Sequence, residues 1–217
     1  VTVRQEKVVA AFVSATILPW AFITLARAGE AHQQVAPGWV FTALDRAVPV
    51  VPVAIWPYVS WYLAPAVVLL SERVTFRRVW LAELLSFGIC AFGYVMLPIA
   101  LPRPDIDDVD GGASIVVLSH LYRLDPPVNV FPSYHAAVAT IIALLVRPAN
   151  RGLGRALLVW MAIICASCVL TKQHVVIDVL AGAIVGGFAT VVAVKLVDRR
   201  SEVLVERRFV QPKGAAA

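Results

Sequence analysis

Six apolar blocks, Val8 to Ala28, Ala47 to Leu70, Leu81 to Leu101, Val130 to Val146, Leu153 to Thr171 and Val175 to Val197, alternate along the chain with short polar segments. A bilayer core of about 30 Å is crossed by about 20 residues of helix, and every block approaches or meets that length. The pattern predicts an all-α, polytopic membrane protein with six transmembrane helices in one bundle. Pro49, Pro52, Pro57 and Pro65 must kink the second block or shorten its regular part, because each removes a backbone donor that lipid cannot replace. The first block is too long for a signal-peptide core and has no clear small-residue cleavage site, so it reads as a retained helix.

Composition agrees with this reading. Of 217 residues, 60% are apolar, well above the 45–50% or so of soluble domains. The net charge of +5 does not signal nucleic acid, since the cations lie between apolar blocks and at the C-terminus with no aromatic-studded basic face. They act as topology signals. Arg4, Lys7, Arg73, Arg77, Arg78, Arg147, Arg151, Arg155, Lys195, Arg199, Arg200, Arg207, Arg208 and Lys213 fall on the side of the termini, against Arg27, Arg46, Arg103, Arg123 and Lys172 on the other. That asymmetry places both termini in the cytoplasm. Residues 1–198 are then one transmembrane domain and 199–217 a mobile, basic cytoplasmic tail. Trp39 and Trp80 fit the interfacial aromatic belts. Cys165 and Cys168 form a C-x-x-C inside an apolar block, where two small apolar helix residues are the simpler reading. No ionisable residue is expected near the bilayer midplane.

Ionisable residues at the edge of a span are costly, and tend to face the bundle interior and to be functional. Arg103 follows the third block, Ser133 and His135 open the fourth, and Lys172, His174 and Asp178 straddle the start of the sixth. The topology brings these three segments to one outer layer. His174 and Asp178 are four apart, on one helix face, so the carboxylate can fix the imidazole tautomer and leave the second ring nitrogen free. The same step leads to Gly182 and Gly186, a small-residue stripe that lets another helix approach. Pro132-Ser133-Tyr134-His135 starts a helix, where freed N–H groups and a hydroxyl favour an anion such as phosphate; His135 can serve as general acid to a leaving alkoxide. Arg103 offers a permanently charged fork for phosphate oxygens. Taken singly, each has a plainer role: a structural histidine, a helix start, a topology anchor.

Together these residues resemble the type-2 phosphatidic acid phosphatase superfamily. Its pattern is a lysine with Arg-Pro, then Pro-Ser-x-His, then Ser-Arg with a downstream His-x-x-x-Asp. Here stand Arg103-Pro104, Pro132-Ser133-Tyr134-His135, and Ser167 with His174-Val175-Val176-Ile177-Asp178, all within Met96 to Gly187. Met96 replaces the usual lysine, Tyr134 the frequent glycine and Cys168 the usual arginine. Two phosphate-binding cations are thereby missing, and Lys172 is the candidate substitute for one. Thr171-Lys172-Gln173-His174 looks more like the inositol phosphorylceramide synthase-like transferase branch than the standard phosphatases. The resemblance implies a metal-free, cofactor-free reaction on a lipid phosphate. His174 is then the nucleophile oriented by Asp178, His135 the acid, and Arg103, Ser133, Tyr134 and Lys172 the phosphate-binding set. Hydrolysis of a lipid phosphate or diphosphate leads; phosphotransfer between lipids and non-catalytic lipid-phosphate binding are the alternatives.

Asp105-Ile106-Asp107-Asp108-Val109-Asp110-Gly111-Gly112 fails the EF-hand template, because Val109 occupies a ligand position and no Glu closes the loop. It reads as a solvated loop cap. Ala113 to Leu124 reads as a short amphipathic segment on the membrane surface. The charge asymmetry predicts that a reporter fused to the C-terminus is active in the cytoplasm and inactive outside, as a paired phosphatase and fluorescent-protein fusion would show.

Overall fold

The computed structural model describes residues 2–146 and 151–210. Two of the cations used for topology, Arg147 and Lys213, lie outside them. The chain opens with α1 (Val3–Phe12), a π-helical turn (Val13–Ile17) and α2 (Leu18–Glu30), which continue one another as a first long apolar rod. Thr2 starts α1 with a capping box, its hydroxyl accepting from the Gln5 N–H, which satisfies donors that the first helical turn leaves free.

The second block is broken as its prolines require. Ala47 belongs to a short α3 (Ala43–Ala47), and the span proper is a 3₁₀ turn at Pro52–Ala54, α4 (Ile55–Ser60), a second 3₁₀ turn at Trp61–Leu63 and α5 (Ala64–Leu69). Pro52 and Pro65 stand at the first positions of their helices, where a missing N–H costs nothing. The third span, α6 (Arg73–Met96), begins eight residues earlier than its apolar block. Its added turns carry cations that find partners: Arg77 binds Glu6, and Arg78 reaches Asp198 at 2.6 Å. It stops short of Leu101 because Pro98 cannot continue it; instead β2 (Ile99–Ala100) pairs in parallel with β1 (Gln34–Val35).

A loop containing α7 (Ala113–Leu124) leads to α8 (Tyr134–Leu145), α9 (Arg151–Leu170) and α10 (Val176–Val210). Among the described residues, five helical stretches, Val3–Glu30, Pro52–Leu69, Thr75–Met96, Arg151–Leu170 and Val176–Arg200, are long and apolar enough to cross a membrane. The expected fourth span differs. Only 12 of its residues are helical, about 18 Å at 1.5 Å per residue against a core of about 30 Å. Small and β-branched residues line α8 on every side, so it is buried almost throughout, packing on α6, α9 and α10. With no glycine or proline between them, the residues from Asp198 to Val210 continue α10 in helix. Large apolar side chains on the outside, among them Trp20, Phe92, Ile184 and Phe188, are exposed in the manner of a lipid-facing surface.

Glu83 corrects the expectation of an empty midplane. It is eleven residues into the 24-residue α6, roughly 15 Å from its start. Ser14 donates to its carboxylate at 2.9 Å and Tyr134 at 3.4 Å, which is how a carboxyl tolerates that depth.

The closest packing is between α8 and α10. A Cβ at Gly182 would collide with the Ser133 carbonyl, and one at Gly186 with the Ala137 carbonyl, whereas Gly187 has open space beside it. Gly182→Ala and Gly186→Ala are each expected to destabilise the fold by about 1–3 kcal/mol, the usual cost of overpacking. Gly187→Ala should leave the melting temperature in detergent unchanged or slightly raised, and thermal-shift measurements on the three variants check the contrast.

Candidate active site

His174 and Asp178 meet, though not on one helical face. Residues 171–175 form a turn and α10 begins only at Val176. Lys172 takes a left-handed backbone conformation with φ 55°, an uncommon state for a residue with a Cβ. The Cys168 carbonyl accepts from the N–H groups of both Gln173 and His174, at 3.1 and 3.0 Å. The chain thus curls back over the end of α9 and delivers His174 above the first turn of α10. Asp178, fully buried, accepts from the Val175 N–H at 3.2 Å and holds Oδ2 3.5 Å from His174 Nδ1. That separation is long for a hydrogen bond, and Nδ1 has no aligned partner. Such contacts commonly tighten only along the reaction path.

His135 arrives from α8. Its ring lies 6.0 Å from that of His174, centroid to centroid, and rests against Tyr58 at 4.7 Å and Trp61 at 4.5 Å. Both imidazoles are buried, and His135 Nε2 has no hydrogen-bond partner among the described residues. A buried polar nitrogen without a hydrogen bond is costly, and in a paired-histidine site it is the group free to exchange a proton. The register of the two rings follows from backbone contact: the Ser133 N–H donates to the Asp178 carbonyl at 3.0 Å, one turn before the Gly182 contact.

Arg103 joins them through Gln173. Its guanidinium donates to Gln173 Oε1 at 2.6 Å and to the carbonyls of Tyr122 and Asp125 at 3.0 and 2.6 Å, lies over the Tyr122 ring, and stands 3.8 Å from the Asp125 carboxylate. Burial pushes the Asp125 carboxyl above its ordinary range, and the positive charge of Arg103 opposes that shift. Arg103 is therefore fixed beside the residue preceding His174, with a planar donor fork that stays charged.

The other expected phosphate ligands are engaged differently. Ser133 caps α8, its hydroxyl accepting from the Ala136 N–H at 3.3 Å. The Tyr134 hydroxyl points into the bundle toward Glu83. The Lys172 ammonium donates to the carbonyls of Asp45 and Val48, at 2.9 and 2.6 Å. It ties down the end of α3. Cys168, at the position of the family's arginine, is buried in an apolar cluster with Ile55, Tyr58, Ile106 and Leu118. Met96, at the lysine position, is exposed at the end of α6.

Several residues at the site carried no signal that singled them out. Tyr58 and Trp61, which flank His135, lie in the proline-broken block, far away in sequence. Gln173 was marked only by its place beside His174. Asp45 is buried; its Oδ2 caps α3 at Thr42, and its Oδ1 accepts from the Val176 N–H at 2.9 Å. Its carboxylate at the start of α10 also suits the positive end of the helix dipole. In the loop between α6 and α7, Asp105, Asp107, Asp108 and Asp110 are exposed, as a loop cap should be. The helix expected at Ala113 to Leu124 has those bounds, and Leu118 anchors it against α4 and α9.

Residues 80–202, more than half of the chain, match the family model of the PAP2 superfamily. The chain belongs to that superfamily. Its members are phosphatase-type enzymes, hydrolysing phosphate esters or transferring their phosphoryl groups, and include helical membrane proteins. No curated protein and no solved structure matches the chain. The matched segment begins within α6 and contains α8 with His135, the turn after α9 with His174, and the first turn of α10 with Asp178.

Asp45→Ala removes the acceptor for the Val176 N–H and a cap of α3. Loss of about 1–3 kcal/mol is expected from a buried donor left unpaired together with a lost cap. A lowered melting temperature, with faster amide exchange confined to 172–176, checks it; exchange unchanged there would contradict the clamp.

Proposed function

We propose that this protein is an integral membrane phosphatase that hydrolyses a lipid phosphate or diphosphate through a phosphohistidine intermediate, with both termini in the cytoplasm and the site at the extracytoplasmic face. The observation that carries the reading is the buried triad of His174, its carboxylate partner Asp178, and a second imidazole, His135, with rings 6.0 Å apart. Structural histidines are ordinarily paired by hydrogen bonds, whereas here His135 Nε2 has no partner among the described residues and His174 Nδ1 has only the 3.5 Å approach of Asp178.

In the first step, the free ring nitrogen of His174 attacks phosphorus and the bond from phosphorus to the lipid oxygen breaks. His135, protonated, gives its proton to that departing oxygen, so the lipid leaves as a neutral alcohol. Asp178 stabilises the positive charge on the phosphorylated imidazole. Arg103 faces the equatorial oxygens through its fork, oriented by Gln173 and Tyr122. Water then attacks the phosphohistidine, returns a proton to His135 and releases phosphate. The family resemblance assigns these steps to side chains alone, without a metal ion.

With Met96 and Cys168 in place of two cations and Lys172 bound to loop carbonyls, Arg103 carries most of the positive charge near the site. Lys172 is best read as a residue that positions the His174 turn. Transfer to a second lipid alcohol is the alternative; its support is the likeness of Thr171–His174 to the transferase branch and the burial of both imidazoles, which limits access by bulk water. The same phosphohistidine serves either acceptor.

Purified protein in chelator, offered long-chain lipid phosphates and diphosphates, is expected to release phosphate or form a new phospholipid. His174→Ala should lower the rate at least about 10³-fold and His135→Ala by about 10²–10⁴-fold, with acid-labile phosphate trapped on the wild type. Full turnover by His174→Ala would remove the nucleophile assignment.

A further inference from the structure

A cavity of about 500 Å³ is lined by His135 but not by His174, Asp178 or Arg103. Asp125 and His135 lie toward one end, and Ser14, Glu83, Val68 and Ile142 further along the bundle, with walls from the first rod, the broken second span, α6, α7 and α8. From His135 to Ile142 is seven residues of helix, about 10 Å along α8. The cavity therefore begins at the depth of the imidazoles and descends into the apolar part of the bundle. Most of its wall is aliphatic or aromatic. Glu83, the carboxyl in its deep part, is already engaged by Ser14 and Tyr134, two other wall residues.

We propose that this cavity holds one hydrocarbon chain of the lipid whose phosphate ester is cleaved, with the chain entering past His135. The inference rests on the proposed phosphatase reading. Its geometry follows from the role of His135: the group that protonates the departing oxygen must stand between phosphorus and the alcohol, and the cavity reaches His135 without reaching His174 or Arg103. Phosphate sits toward His174 and Arg103, the ester oxygen at His135, and the chain beyond it. An apolar wall favours hydrocarbon because each buried methylene contributes roughly 0.8 kcal/mol. Size limits the occupant to one chain. At roughly 30 Å³ per small centre, the share of a water molecule in the liquid, the space takes on the order of 16 carbons. A second chain of a two-chain lipid stays in the bilayer.

The test uses full-length protein in phosphatidylcholine nanodiscs and hexadecyl phosphate bearing a diazirine near its tail. Irradiation and peptide mapping should place the label on 14–22 or 138–142, competed by unlabelled hexadecyl phosphate and reduced at least fivefold in Ile142→Trp. Val68→Phe, on the opposite wall, is the second variant; melting temperatures show which of the two is folded. Label confined to lipid-facing Ile184 and Phe188, or unaffected in a folded blocked variant, would overturn the proposal. In parallel, kcat/KM for hexadecyl phosphate should fall at least tenfold in the blocked variants while that for butyl phosphate stays within twofold; an equal fall for both esters also overturns it. If wild type hydrolyses neither ester, the phosphatase reading fails, and the cross-link by itself still decides the occupancy of the cavity.

Discussion

The backbone of α8 lies directly against α10, and the site depends on that contact. Gly182 and Gly186 have no side chain to hold the helices apart, so the carbonyls of Ser133 and Ala137 settle against α10, and the Ser133 N–H reaches the Asp178 carbonyl. In a membrane there is little hydrophobic force between helices, and close packing with interhelical hydrogen bonds replaces it. One consequence is geometrical: His135 and Asp178 both begin their helices at this junction, so the contact that joins the helices also sets the distance between the histidines. Another is the position of α8 itself. A helix of 12 residues that is buried on nearly all sides does not need to match the bilayer; it needs only to match its neighbours.

The second constraint is the turn from Lys172 to Val175. It carries His174 out of the helix and is held from both directions, by the Cys168 carbonyl beneath it and, from the α3 segment, by Asp45 and by the carbonyls that accept from the Lys172 ammonium. Backbone in a left-handed conformation persists where its surroundings over-determine it. These hydrogen bonds supply that, and so the α3 segment, remote in sequence, takes part in placing His174. Arg103 is fixed in a comparable way by Gln173, Tyr122 and Asp125. Each chemical group is thus held through a neighbour rather than by its own segment alone.

Electrostatically the site is sparing. One guanidinium stands where the family pattern provides several cations, and the remaining charges, Lys172 and Asp45, are spent on structure. Beside His135 the cavity offers a mostly apolar surface, with its one deep carboxyl, Glu83, engaged by Ser14 and Tyr134.

Hydropathy and charge by themselves determined the helical membrane architecture, because a lipid solvent demands long apolar blocks and self-satisfied backbone. Spacing determined that Gly182 and Gly186 would face another helix, since i to i+4 proximity is a local property of a helix; it also marked His174 and Asp178 as neighbours, although the turn that brings them together is held by distant segments. The prolines likewise announced the broken second span. What only the tertiary structure decided were the matters that depend on which distant segments touch: the burial and shortness of α8, the aromatic walls around His135, the diversion of Lys172 and Tyr134 from phosphate to Asp45 and Glu83, and the depth and pairing of Glu83. A lysine beside a catalytic turn reads the same in sequence whether its ammonium meets a phosphate or a loop carbonyl. The choice is made by the fold, because a buried cation takes the oxygens that packing brings within reach.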